Sequence, residues 1–437
     1  MMGHHLATLG SRTGGPASKP LRRLSAGADG FRSGYVACLA LAACCISAFR
    51  EMLDGSRDSY PSWAAIAFCG LVVCSIVASR EIFGLVGSMV KSTAGLCALL
   101  LLCYVALHGL AAAAEGNPYF FQSHLVSGIL PMFVLGCLVM PGAHEISGDV
   151  GRSPRASTLA SAAMPALVAV AILFMGWSRS HEGRWAVIAG IPMYQTVGDL
   201  YLCLFVGSTS LAISDAAFMP ARDRWKLATV VLVSASLGAA ALQLVGSNKG
   251  CLGIVACGTI VTSDLLRMQA GRPAIGLLAI SARIAIMLAA MFWAVDLLGI
   301  ATSANDFGAA TALYEISSVA SRLVQLESFA SGTGPEISLF GSLNPTEYVH
   351  SAAVSALIDL GIFGFALMST AFTIACAEAG RRRGAVVRSA AVPIVGTAVV
   401  SSYFTWGPLW FLLGLLLATR LDPKCSRRAS WPAGHRR

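Results

Sequence analysis

Apolar runs long enough to cross a bilayer follow one another through most of this chain, separated by short polar turns. A helix needs roughly 17–25 apolar residues to span the hydrocarbon core. Twelve stretches approach or meet that length: 34–49, 62–79, 93–114, 124–140, 158–175, 195–213, 227–246, 250–265, 276–300, 350–376, 386–402 and 405–419. The first and the last two are short. One long polar stretch breaks the rhythm, from Ala301 to His350. Inside it Leu313, Ile316, Ala320 and Leu323 recur at helical spacing, with Glu315, Ser318, Arg322 and Gln325 on the other face. That spacing predicts an amphipathic helix over about 309–329, lying on a membrane surface. Gly332-Thr333-Gly334-Pro335 ends it, and Asn344-Pro345-Thr346-Glu347 reads as a cap leading into the tenth span, with His350 at its mouth.

Composition supports a membrane setting. Hydrophobic residues make up 56% and charged residues 12%, about half the charged fraction of soluble domains. The expected fold is all-α: a polytopic inner-membrane protein of about twelve transmembrane helices. It divides into a basic cytoplasmic tail at 1–33, helices 1–9 over 34–300, a large loop at 301–349, helices 10–12 over 350–419, and a second basic tail at 420–437. The first apolar run ends without a signal-cleavage pattern, so the leading segment is expected to stay as a tail. The thirteen cysteines fall almost entirely inside apolar runs, which predicts packing rather than disulfides or zinc.

The formal charge of +9 is explained by where it sits. Of 31 Lys and Arg, 24 fall in one alternating set of connections and 6 in the other, with Arg283 inside a span. By the positive-inside rule both termini are cytoplasmic and the 301–349 loop is outside, in the periplasm of a bacterial inner membrane. The excess charge is therefore a topology signal, and no nucleic-acid partner is expected.

No P-loop, GxSxG or HExxH occurs, so candidate chemistry rests on outward polar groups near span ends. Arg184, Lys249 and Arg322 are cations left on the outer side against the charge bias. Each is either solvated or part of a cluster that holds phosphate oxygens. Lys249 sits in the tight turn Gly246-Ser247-Asn248-Lys249-Gly250. His350 is the best-placed proton acceptor on that face, by its ordinary titration range. Glu327 and Glu336 are rivals or supports. Asp359, nine residues past His350, and Asp199 lie within or at the edges of spans, where a carboxyl is costly and a functional role or a partner is the default expectation.

These elements together resemble the O-antigen ligase/polymerase superfamily, the lipid-linked polysaccharide polymerases (Wzy type) and the ligases that attach O-antigen to lipid A core. The resemblance is carried by Ser321-Arg322, Gly332-Thr333-Gly334, Tyr348-Val349-His350-Ser351, Ile358-Asp359-Leu360-Gly361-Ile362-Phe363-Gly364, and Ser247-Asn248-Lys249-Gly250. It covers about Trp177 to Gly364. Lys249 stands where arginine is usual, and Ser351 where asparagine is common. The resemblance implies a GT-C-like, metal-independent membrane glycosyltransferase without cofactor. Its donor would be an oligosaccharide on undecaprenyl pyrophosphate and its product the growing polysaccharide. Arg184, Lys249 and Arg322 would hold the pyrophosphate, and His350 and Arg322 would be catalytic. Flippase and chain-length regulator proteins, with membrane lipids, would be its partners. The expected function is polymerisation of such repeat units in exopolysaccharide or O-antigen synthesis. O-antigen ligation to lipid A core is the alternative, and a twelve-helix transporter or flippase the alternative from another class.

Overall fold

The computed structural model describes residues 37–46, 48, 89–117, 128–139, 155–174, 187–188, 191–192, 194–216, 219–270, 331, 337–343, 351–401 and 403–420. Among the described residues the chain is helical, apart from a two-residue strand pair. The helices are α1 Ala37–Ile46, α2 Thr93–Ala114, α3 Leu130–Val139, α4 Arg155–Phe174, α5 Tyr194–Ala216, α6 Ala221–Val245, α7 Asn248–Ala270, α8 Ala352–Asp359, α9 Gly361–Ser401 and α10 Gly407–Arg420. The strands β1 Val187–Ile188 and β2 Ile191–Pro192 form a small antiparallel hairpin between α4 and α5, which the all-α expectation did not include. Among the described residues, five helices are long and apolar enough to cross a membrane, within α2, α5, α6, α7 and α9. The chain is a polytopic membrane protein.

α5 is the axis of the bundle. It packs against α4, α6, α7, α9 and α10, and 83% of its apolar window is buried. Tyr201 and Phe205 are fully enclosed, and the Tyr201 hydroxyl donates to Pro165 O of α4 at 2.6 Å. A backbone carbonyl has two lone pairs, so Pro165 O can take this hydroxyl in addition to its helical bond. α3 and α10 meet backbone to backbone. A Cβ on Gly136 would strike Phe411 O, and one on Gly414 would strike Phe133 O. Without a hydrophobic drive between helices in lipid, such close approach through small residues is what holds them. Cys38, Cys44, Cys45, Cys137, Cys203, Cys251 and Cys257 are buried free thiols in this packing.

One expected span differs from the sequence reading. The run 350–376 is broken: α8 ends at Asp359, and α9 starts at Gly361, whose φ is +72. The left-handed backbone at Gly361 cannot continue a helix, and glycine adopts it without a Cβ clash. α8 opens at Ser351, whose extended backbone (φ −144, ψ 122) marks the boundary. The expected connection at the arginines is present: α9 is two helices meeting at a kink at Arg383, whose backbone is non-helical (φ −141, ψ 58). The runs at 62–79 and 276–300 and the amphipathic stretch 309–329 lie outside the described residues.

The arginine-bearing break sits at one end of the bundle, held by acids. One guanidinium nitrogen of Arg388, Nη2, is 3.2 Å from both carboxylate oxygens of Asp264, near the end of α7. Arg383 donates to Ser214 Oγ at 3.3 Å. Next to Ser214, Asp215 accepts from Thr158 Oγ1 of α4 at 2.9 Å. The starts of α5, α7 and α10 are at the opposite end.

Candidate functional site

At that opposite end, the turn between α6 and α7 places Lys249. Gly246 takes a left-handed conformation (φ 89, ψ 18). Its N–H bonds Gln243 O at 3.1 Å and that of Ser247 bonds Leu242 O at 2.8 Å, which closes α6. α7 starts at once, so Lys249 is in its first turn. A cation there opposes the helix dipole and needs a compensating negative group. The turn is pressed against α5: a Cβ on Gly198 would collide with Ser247 Oγ, and one on Gly250 would come within 3.1 Å of Gly198 O. Only glycines allow this contact.

Asp199 follows Gly198, and the close approach brings its carboxylate into the field of Lys249. On the other side the Lys249 ammonium lies 5.5 Å from the centre of the Trp406 ring, within cation–π range. The Trp406 indole N–H is directed at the Asp199 carboxyl without closing a hydrogen bond. Among the described residues, Trp406 Nε1 and Asp199 Oδ1 are both buried and lack a partner. A half-exposed ammonium, an acceptor and a donor thus converge from α5, the α6–α7 turn and the segment before α10. This set can hold an anion at the ammonium and offers hydrogen-bonding capacity beside it.

The segment before α10 also meets α8. Phe404 N donates to Ser355 Oγ at 2.9 Å, and Trp410 Nε1 donates to Phe404 O at 2.7 Å. Phe404 is two residues from Trp406. So the helix that follows His350 in sequence is docked onto the segment that carries the Trp406 ring over Lys249.

The other end of α8 touches the segment 337–343. Ser342 N donates to Ile358 O at 3.0 Å, while Ile362 N and Phe363 N donate to Ser338 O and Leu339 O at 3.2 and 3.1 Å. Gly341 (φ +88) and Gly361 face each other here, and a Cβ on Gly341 would strike Asp359 O. Tyr104 and His108 of α2 complete the contact: Tyr104 OH is 2.9 Å from Phe340 O and 2.8 Å from Leu360 O, and His108 Nε2 is 3.2 Å from Ser342 O.

Of the residues singled out in the sequence, the structure brings Asp199 and Lys249 together. It places Asp359 at the end of α8, one helical turn (roughly 6 Å) along from Ser355. Among the described residues its carboxyl has no hydrogen-bond or charge partner. Arg184, Arg283, Arg322, Glu327, Glu336, Glu347 and His350 lie outside the described residues. Trp406, Tyr104 and His108 went unnoticed in the sequence. His108 carried a usable signal, as an ionisable group in the middle of an apolar run. Trp406 did not, because an aromatic between two short spans is common at membrane interfaces. In comparisons with known proteins, no family model, no curated protein and no solved structure matches this chain.

Proposed function

We propose that the chain is a membrane glycosyltransferase that polymerises oligosaccharide units carried on undecaprenyl pyrophosphate, at the outer face of a bacterial inner membrane. The orientation rests on charge: the arginines of the α9 break are at one end of the bundle and Lys249 at the other, and the positive-inside rule assigns the arginine end to the cytoplasm. The observation that carries the reading is the bond between Phe404 N and Ser355 Oγ. Through Trp406, two residues on from Phe404 and under the Lys249 ammonium, it links two elements that the sequence suggested separately, the Lys249 turn and the helix entered just after His350.

In the proposed reaction a hydroxyl oxygen of the acceptor sugar attacks the anomeric carbon of the donor. The bond from that carbon to the pyrophosphate breaks, and undecaprenyl pyrophosphate leaves with the electron pair. Lys249 stabilises the charge growing on the leaving oxygens, and an ammonium fixed by a ring and a carboxylate needs little reorganisation to do so. Arg184 and Arg322 are its proposed companions on the pyrophosphate. His350 takes the proton from the acceptor hydroxyl, and no strong acid is needed because pyrophosphate leaves readily. Asp199 holds Lys249, and Glu327, Glu336 and Asp359 are the remaining candidate supports.

The test is deletion of the gene followed by complementation. Deletion is expected to leave single repeat units on the surface glycan and no long polymer. Lys249→Arg restores polymer, and Lys249→Gln lowers it at least tenfold with the protein still in the membrane. Long polymer retained on the carrier with bare lipid A core would instead identify a ligase. Unchanged glycan after deletion refutes both.

A further inference from the structure

We infer that Tyr104 and His108 are positioning residues: from α2 they hold the outer-loop segment 337–343 against the break between α8 and α9, and so fix both ends of the stretch that carries Glu347 and His350. The functional half of this inference rests on the proposed glycosyl transfer; the geometric half does not.

The argument starts from backbone polarity at depth. Tyr104 is ten residues, about 15 Å, before the end of α2, and His108 six residues, about 9 Å. The segment 337–343 therefore reaches well down the side of α2 instead of lying over its end. Irregular backbone beside transmembrane helices must have its N–H and C=O groups satisfied within the protein. The helix break and the loop segment do much of this for each other. Ile358 O takes the N–H of Ser342, and Ser338 O and Leu339 O take those of Ile362 and Phe363. Gly341 O takes the hydroxyl of Ser338 at 2.8 Å. Three further carbonyls, those of Phe340, Leu360 and Ser342, point at α2.

Tyr104 and His108 serve those three. They are four residues apart on α2, hence on one face. The Tyr104 hydroxyl is shared between a carbonyl of the loop and a carbonyl of the break, which makes it a bridge between two segments otherwise joined by backbone bonds and the Phe340–Phe363 ring contact. Its ring stands edge-on to Phe363, with centroids 5.3 Å apart, so the hydroxyl is aimed by packing. Ser342 O can only accept, so His108 Nε2 must carry the proton. His108 is buried, and its bond falls on the same residue whose N–H reaches Ile358 O. That pairing of Ser342 with Ile358 ties the loop segment to the end of α8, and in sequence His350 lies between them. The stretch that carries it is thus bounded by two anchors, Ser355 with Phe404 and the α2 pair.

The experiment uses the full chain in lipid nanodiscs, with hydrogen exchange followed by mass spectrometry on peptides covering Ser342, Ile362 and Phe363. Glycan length and membrane level are measured in cells. Tyr104→Phe keeps the ring and loses the bridging proton. His108→Leu loses the donor, and His108→Gln keeps one. Tyr104→Phe and His108→Leu are expected to speed exchange of these amides at least tenfold, leave exchange in the later turns of α9 unchanged, and cut polymer at least tenfold at normal membrane level. His108→Gln should restore both readouts. Wild-type exchange in Tyr104→Phe and His108→Leu overturns the latch. Faster exchange with wild-type polymer overturns its positioning role. A gene deletion that leaves polymer unchanged defeats the proposed function instead, while the exchange result still decides the geometry.

Discussion

Removing the Ser355 hydroxyl should loosen one specific joint, and a second serine provides the control. Ser355 and Ser389 are both buried, at 4% and 1% exposure. Ser389 Oγ donates to Val386 O of its own helix at 3.0 Å. Ser355 Oγ donates weakly to Ala352 O at 3.3 Å, but it also accepts the Phe404 N–H at 2.9 Å. Ser389→Ala returns Val386 O to its ordinary helical bonding and should change stability by less than about 0.5 kcal/mol. Ser355→Ala leaves the N–H of Phe404, a residue with no exposed surface, without an acceptor. An orphaned buried donor costs about 1–3 kcal/mol, which is about a 5- to 150-fold shift in the docked population. Hydrogen exchange in nanodiscs should therefore be faster by that factor in peptides containing Phe404 for Ser355→Ala, and near wild type for Ser389→Ala. Polymer should fall with Ser355→Ala alone. Equal exchange at Phe404 in the two variants would refute the reasoning, because burial without the inter-element bond would then account for everything.

Two further outcomes can be checked in the same preparation. Arg388→Ala should destabilise more than Asp264→Ala: the Asp264 side chain is 6% exposed and that of Arg388 57%, so an abandoned guanidinium returns to water while an abandoned carboxylate does not. About 3–5 kcal/mol for the first and about 1 kcal/mol for the second are expected, read as thermal midpoints, and equal shifts would contradict the pairing as described. Gly361→Ala forces a left-handed residue and drives its Cβ into Gly341 N, with Leu339 O at 2.6 Å, so a loss of at least about 2 kcal/mol is expected. Gly380→Ala, where a Cβ meets nothing within 4 Å, should be neutral or stabilising by about 0.5–1 kcal/mol, and a similar cost at both glycines would count against the tight turn.

Much of the helical framework was legible in the chain because lipid imposes one rule on it. Hydrocarbon forces backbone bonding inward, so apolar length maps directly onto helices, and 93–114 is read to the residue as α2. The rule fails where the break is made by conformation and not by polarity. Ile358 to Gly364 stays apolar apart from Asp359, so hydropathy runs straight through a point where Gly361 turns left-handed. The arginine run was the easier break to read: three charges marked it, and the chain does break there, at Arg383, with Asp264 and Ser214 bonding Arg388 and Arg383. Lys249 and Asp199 were visible because charge at a span end is conspicuous. Their meeting was not, since it depends on Gly198 and Gly250, whose role is to be absent.

Enclosed polar groups at the Lys249 end bear on where a ligand binds. At the arginine end Asp264 has Arg388, Asp215 has Thr158 and Asp223 has Lys226. At the Lys249 end, Asp199 Oδ1 and Trp406 Nε1 are both buried without a hydrogen-bond partner among the described residues, and each such group costs about 1–3 kcal/mol. The Trp406 segment is held by Ser355 through Phe404 and by Trp410. Docking of α8 therefore has a direct lever on whether Trp406 reaches Asp199, and through the ring on where Lys249 lies. Trp406→Phe separates the two roles, keeping the ring under the ammonium and deleting the donor. If Trp406 acts only through its ring in placing Lys249, that variant should polymerise within about threefold of wild type, and Trp406→Leu should fall with Lys249→Gln. Equal loss in both Trp406 variants would mean that the indole N–H itself is needed by the substrate.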